Sequence, residues 1–223
     1  MHLEIHPDAR KRIVGITLGT VTITHIQVMM RNEQLWKQIE ELSEHVSKEY
    51  KLENLSQQSQ VAAVRELQKM LGFDPARYRP SSESLLRRVL KGQGLHQVNT
   101  AVDVNNLCSL EFLLPMSIYD LRNIEGQIHV RIGSPGEQYP GIGRQLFQIE
   151  DKIIVADSQG VIGSTVSDSE RTKVTTATTD AVLIIYAPPS LDLHTVKSYT
   201  ELAGQRIVEF NGGVAGDIEV CRI

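Results

Sequence analysis

Between Asn32 and Val46 the apolar residues Leu35, Ile39, Leu42 and Val46 recur every three or four positions with charges between them, the spacing of one buried helix face. Val61, Val64, Leu67 and Leu71 repeat the pattern and predict a second helix over about 57–70, with Gly72 placed to end it. "FDPARY" then reads as a turn with Pro75 early in a short helical piece. In "RPSSESLLRRVLKGQG", Ser81 or Ser82 caps a short helix whose apolar face is Leu85, Leu86, Val89 and Leu90, and Gly92 closes it. Elsewhere the rhythm is that of strands. "RIVGITLGTVTITHIQV" is rich in β-branched residues and interrupted by Gly19, which predicts two short strands around a turn. "GQIHVRIG", "RQLFQIE", "KIIVADSQG", "TKVTTATTD" and "AVLIIYAP" are strand candidates separated by Gly, Pro, Asp and Ser clusters. Helical spacing returns with Leu193, Val196, Tyr199 and Leu202, ends on paired glycines, and leaves "GDIEVCRI" as a final strand. Helices and strands do not alternate strictly, so the pattern favours an α+β fold with mixed sheets packed against helices over a doubly wound sheet.

One stretch resists this reading. "AVDVNNLCSLEFLLPMSIYD" (Ala101 to Asp120) is largely apolar, yet carries Asp103, Asn105 and Asn106 near its front. A core element avoids such groups unless each finds a hydrogen-bond partner.

Length and charge narrow the possibilities. The 223 residues suffice for one large domain or two small ones; we read a single domain over 1–223. Its parts are N-terminal strands and helices (1–73), a motif-bearing core (74–187) and a C-terminal helix and strand (188–223). With 23 Lys+Arg against 27 Asp+Glu, the chain does not coat nucleic acid by bulk charge, although a local basic patch is compatible with that balance. Cys108 and Cys221 are far apart and sit in apolar runs, so free thiols and a reducing cytoplasm are expected. The start "MHLEIHPDARKRIVG" lacks the apolar segment of a secretory signal, and no run approaches the roughly 20 apolar residues of a membrane span.

The common catalytic signatures are absent: no GxxxxGK[ST], no GxGxxG after a strand, no HExxH, no GxSxG, and no paired cysteines at metal spacing. "PGIGR" is too short for a dinucleotide fingerprint and reads as a surface turn. His2 and His6 suit one helix face only if the terminus is helical, and a disordered or strand-like terminus is the better reading. No metal or organic cofactor is expected. Four polar clusters remain. "RYRPSSE" is either a helix cap with solvated arginines or an anion site, since a helix N-terminus beside guanidinium groups suits a phosphate. "HVRIGSPGEQYPG" places Arg131 on a strand and Glu137 in the following loop. "VADSQGVIGSTVSDSERTKVTTATTD" crowds Asp157, Ser164, Asp168, Arg171 and several threonines around two glycine turns, as a polar hairpin or an ordered polar network. The fourth is the opening of the Ala101–Asp120 stretch, where Asn105 and Asn106 each offer donors and acceptors.

These motifs carry a resemblance. "VDVNNLCSLEFLLPMSIYD" resembles, without a gap, a motif in the B3/4 domain of the bacterial phenylalanyl-tRNA synthetase β subunit, including Asp103, Asn106, Glu111, Pro115, Met116 and Asp120. "IIVADSQGVIGSTVSDSERTKVTTATTD" is similar to the later part of that domain, and "DPARYRPSSESLLRRVLKGQGLHQVN" is still closer to free-standing B3/4-domain proteins. Together they run from about Asp74 to Ile185. The resemblance implies a pocket for the aminoacylated end of tRNA. In the synthetase this domain hydrolyses tyrosine wrongly attached to the phenylalanine tRNA, which is needed because a hydrophobic pocket rejects an added hydroxyl by only ~100-fold. Two departures stand out. Ser117 occupies the position of a synthetase histidine, and Ile184 that of the glutamate that reads the side chain, so tyrosine specificity does not carry over.

The implied reading is a stand-alone editing-like domain that binds an aminoacylated tRNA end, or an aminoacyl-adenosine-like molecule, and hydrolyses the ester in trans. Ester hydrolysis needs an oriented water and oxyanion stabilisation. Asn99, Asp103 and Asn106 are the catalytic candidates that shape the pocket and orient water. Arg79 and Ser82 are candidates for the terminal nucleotide, Arg131 and Glu137 for the wall, and Asp157, Asp168, Arg171 and Thr172 for the facing loop and its polar contacts. Two other readings stay open: a non-catalytic module binding RNA or an amino acid, and a hydrolase acting on an unrelated small ester or amide.

Overall fold

A computed structural model describes residues 3–223, so His2 lies outside it. The described chain begins with the short strand β1 (Glu4–Ile5) and helix α1 (Pro7–Arg12), followed by β2 (Thr17–Thr24). Three amphipathic helices follow, α2 (Glu33–Glu49), α3 (Ser59–Met70) and α4 (Ser81–Leu90). The Asn32 side chain caps α2 by accepting from Leu35 N–H at 3.0 Å. The Pro75 segment forms turns rather than a helical piece: Asp74 Oδ1 accepts from Ala76 N–H, and Pro80, not a serine, takes the N-cap position of α4.

Helix α5 (Thr100–Phe112) runs directly into strand β3 (Met116–Asp120). It shows little amphipathic period in sequence because it is covered on nearly every side. It stops at Leu113, whose φ of +54° is left-handed, and Pro115 disfavours helical backbone at the residue before it. Strands β4 (His129–Ile132), β5 (Gln138–Pro140), β6 (Leu146–Gln148), β7 (Ile153–Asp157), β8 (Gly160–Gly163) and β9 (Ala181–Ala187) lead to helix α6 (Leu193–Asn211) and strand β10 (Val214–Arg222).

The strands form an antiparallel sheet in the order β10-β2-β9-β3, a second sheet β1-β4-β7-β8 in which only β1 pairs in parallel, and the small hairpin β5-β6. This is the expected α+β architecture. Strands β2, β9 and β3 of the first sheet are buried on both faces, whereas β10 at its edge is largely open to solvent. Leu183, Ile185 and Ile118 face a core shared with α2, α4, α5 and α6, while Val182, Ile184, Tyr186 and Tyr119 face a second core shared with α1, α3 and the second sheet.

Two strand expectations need correction. Gly19 does not break a strand; β2 runs through it without interruption. A Cβ at that position would collide with Thr200 Oγ1 on α6, so the glycine permits close helix-on-sheet approach instead of a turn. "TKVTTATTD" forms no strand beyond an isolated bridge between Tyr119 and Lys173. Its threonines make turn bonds: Thr178 Oγ1 accepts from Thr175 N–H at 3.0 Å and donates to Asp120 Oδ2 at 2.6 Å.

Candidate functional site

Strand β3 is the outer strand of the first sheet, and its free edge is closed by the loop of residues 163–175. Asp120 N–H donates to Thr172 O at 3.0 Å. Ile118 N–H donates to the Asp168 carboxylate. Between this loop, the front of α5 and the start of α4 lies an open cleft of about 280 Å³. Val102, Met116, Ile118 and Val174 supply apolar wall; Ser81, Asn105, Asn106 and Asp168 supply polar groups. Asn105 is only 5% exposed, yet its Oδ1 is buried without a hydrogen-bond partner, and the Ser81 Oγ is in the same condition. Unpaired buried acceptors are rare because each forgoes solvation. Both residues lie on the wall of this cleft.

Asp168 links the cleft to the polar interior behind it. Its carboxylate meets the Ser117 and Tyr119 hydroxyls as well as Ile118 N–H, but burial outweighs these contacts and pushes its carboxyl up to about 7. Tyr119 and Tyr186 hydroxyls lie close by without a well-aligned partner, and burial raises both phenols. Tyr139 O–H shares a 3.0 Å bond with Ser164 Oγ and donates to Ser167 O at 2.7 Å, which fixes the loop that carries Asp168. Ser117 and Ile184 pair across the sheet on this inner face, both buried among side chains and away from the open cleft.

Of the residues singled out from sequence, the structure brings Asn106 and Asp168 together on the cleft. Asn99 is engaged at the N-terminus of α5: its Oδ1 accepts from Val102 N–H at 3.0 Å and its Nδ2 donates to Val174 O at 3.2 Å. Asp103 accepts from Val98 N–H at 2.9 Å and from the Trp36 indole at 3.2 Å, and burial raises its carboxyl against those bonds. The remaining residues form ion pairs and loop braces. Asp157 holds Arg171 through two bonds of 2.7 and 3.0 Å; burial works to raise the carboxyl, and Arg171 with Glu125 N–H outweighs it. Thr172 Oγ1 donates to Ile162 O at 3.1 Å. Arg131 clamps Glu137 at 2.6 and 2.8 Å and holds that carboxyl low. Ser82 is buried inside α4. Arg79 lies 3.7 Å from Glu83, a buried carboxylate also held by Arg65 at 2.8 Å and Arg87 at 2.7 Å.

Sequence reasoning did not place Ile142 or Lys173 on the cleft, nor the tyrosines behind it. Asn105 carried the one usable signal, a second amide beside Asn106 in an apolar run. Among the described residues no cluster of His, Cys, Asp and Glu suits a metal, and no helix is long and apolar enough to cross a membrane.

A phenylalanine–tRNA ligase β subunit from Idiomarina loihiensis is 37% identical over 71 residues, 31% of this chain and 9% of that protein. The β subunit from Thermobifida fusca is 26% identical over 156 residues, 69% of this chain and 18% of that protein. The chain thus spans less than a fifth of the length of these relatives. An N-terminal fragment of the phenylalanyl-tRNA synthetase β subunit from Pyrococcus horikoshii superposes with a TM-score of 0.46 and 11% identity, covering 96% of this chain and 49% of that one. The model of the B3/4 domain family matches residues 63–205, which contain α4, α5, β3 and the loop that together build the cleft. This chain belongs to the B3/4 domain family.

Proposed function

We propose that the cleft receives the aminoacylated end of a tRNA and that the ester is hydrolysed there in trans. The observation that carries this reading is the cleft itself, apolar along one side and lined on the other by Asn105, Asn106 and Asp168. An apolar wall suits an amino-acid side chain, and fixed amide and carboxylate groups suit the orientation of an ester and an attacking water. In this reading Asn106, on the cleft wall, holds that water or the carbonyl oxygen. Asn99 and Asp103 act as positioning residues that hold the first turn of α5. Arg171 positions the facing loop through Asp157, and the half-exposed Arg79, two residues before Ser81 of the cleft, is the candidate for the terminal phosphates.

Burial of Ser117 and Ile184 on the inner face supports a second reading, a non-catalytic module that binds the same ligand end. A deacylation assay on a panel of misacylated tRNAs separates the two. Hydrolysis of at least one tRNA is expected, with Asn106→Ala slowing it by about 100-fold and Arg171→Ala weakening both binding and turnover. Binding without turnover on every member supports the non-catalytic module instead.

A further inference from the structure

We propose that Arg65, Arg79 and Arg87, gathered on the buried Glu83 carboxylate, form a receptor for a phosphate monoester, the 5′-terminal phosphate of the RNA whose 3′ end enters the cleft. The inference rests on the cleft reading above and adds a second site, on the other flank of α4.

Three guanidinium groups converge on one acid. Arg65 grips Glu83 through Nε and Nη2, both at 2.8 Å, and Arg87 through Nε at 2.7 Å. Arg79 Nε lies 3.7 Å away, too far for a hydrogen bond. Burial works to raise the Glu83 carboxyl, and Arg65 and Arg87 outweigh it, so the acid is ionised. Among the described residues no second carboxylate pairs with these arginines. Three positive charges against one leave a surplus of two at this spot, in a chain whose net charge is −4.

The layering gives that surplus a direction. The Glu83 side chain is 1% exposed, whereas those of Arg65, Arg79 and Arg87 are 25%, 44% and 24% exposed. The acid lies beneath and the cations form the outer layer. Within the described chain Arg65 Nη1, both Nη atoms of Arg87 and the whole Arg79 guanidinium make no hydrogen bond. Free guanidinium donors suit phosphate oxygens, which arginine takes through paired N–H groups. A phosphate monoester brings about two negative charges and three acceptor oxygens at neutral pH. A backbone diester brings half that charge and one free oxygen fewer, so the monoester is the better match.

Helix α4 relates this cluster to the cleft. Ser81 lines the cleft, and Glu83, two residues on, lies roughly 200° further around the helix. The two sites thus flank a cylinder about 10–12 Å across. The single-stranded 3′ tail of a tRNA, roughly four nucleotides at about 3.4 Å each when stacked, spans a similar distance from the base pair that carries the 5′ phosphate.

Binding of fluorescent acceptor-stem hairpins to the full chain at low salt tests this. Three RNAs are compared: 5′-phosphorylated, 5′-hydroxyl, and 5′-phosphorylated without the 3′ tail. The 5′ phosphate is expected to tighten binding about ten-fold. Arg79→Gln, the substitution least able to disturb the fold, should remove most of that advantage, and Arg87→Gln part of it. Equal binding of the phosphorylated and hydroxyl RNAs by the unmodified protein overturns the receptor; weaker binding of the tail-less RNA in that case leaves the cleft reading standing. An advantage that survives in both arginine variants also overturns the receptor. Undiminished binding of the tail-less RNA overturns the cleft reading and the pairing of the two sites. Binding of none of the three overturns both.

Discussion

Asp168 makes the stability of the fold depend on pH. Its carboxyl is pushed up to about 7 in the folded protein, against about 3.9 in an unfolded chain. The folded state therefore binds the extra proton between those values, and stability falls as pH rises from about 4 towards 7. Asp168→Asn removes the charge and should raise unfolding free energy at pH 8 by up to about 4 kcal/mol, a gain that disappears towards pH 4. Urea denaturation at the two pH values measures it; a pH-independent difference would contradict the assignment. Sequence made Asp168 a candidate because it sits in a crowded polar segment, but nothing in that segment distinguishes it from Asp157. The difference is a matter of partners. Asp157 meets Arg171, whereas Asp168 meets hydroxyls and a backbone N–H. The same holds in α5, where Asn99 and Asp103 are satisfied by the chain and Asn105 is left with an empty acceptor.

At the scale of elements, β2 and α6 show what hydrophobic periodicity conveys and what it leaves out. The 3.6-residue pattern marked α2, α3, α4 and α6 because each presents one face to a core and one to water. It did not mark α5, ten of whose thirteen residues are buried. Gly19 was misleading for a different reason: glycine punctuates turns, yet here it clears room for Thr200 and Val196 of α6 against the sheet. Gly19→Ala should cost about 1–3 kcal/mol by overpacking. Thr200→Ala added to it should recover part of that loss, since the two side chains contest one space. Strictly additive losses in a double-mutant cycle would exclude the contact as the cause.

Across the whole molecule, the first sheet joins the two cores, with β2 and β9 feeding side chains to both. The segment matched by the B3/4 family model, 63–205, lacks β2 and β10, although β2 lies hydrogen-bonded beside β9 in the middle of that sheet. The flanking residues are thus structural parts of the site's support. Unfolding should accordingly be a single transition. Trp36, the sole tryptophan, reports the first core through its bond to Asp103. Tyr139→Trp in a Trp36→Phe background reports the second by fluorescence. Their midpoints in urea should coincide with each other and with loss of helical circular dichroism, and separate midpoints would show two independently folding units.

Local sequence determined the amphipathic helices, most of the strands and the α+β class, because apolar spacing along a short segment is set by which of its faces meets the core. It also determined the family, since several ordered motifs survive in one chain. Which polar residues are spoken for was decided only by tertiary structure. Asn99, Asp103 and Asp157 have partners supplied from up to 75 residues away, and Asn105, with an acceptor left empty, lies on the wall of a cleft that exists only where α4, α5, β3 and a returning loop meet. A hydrogen-bond partner distant in sequence leaves no local pattern, so the unsatisfied groups become visible only once the chain is folded.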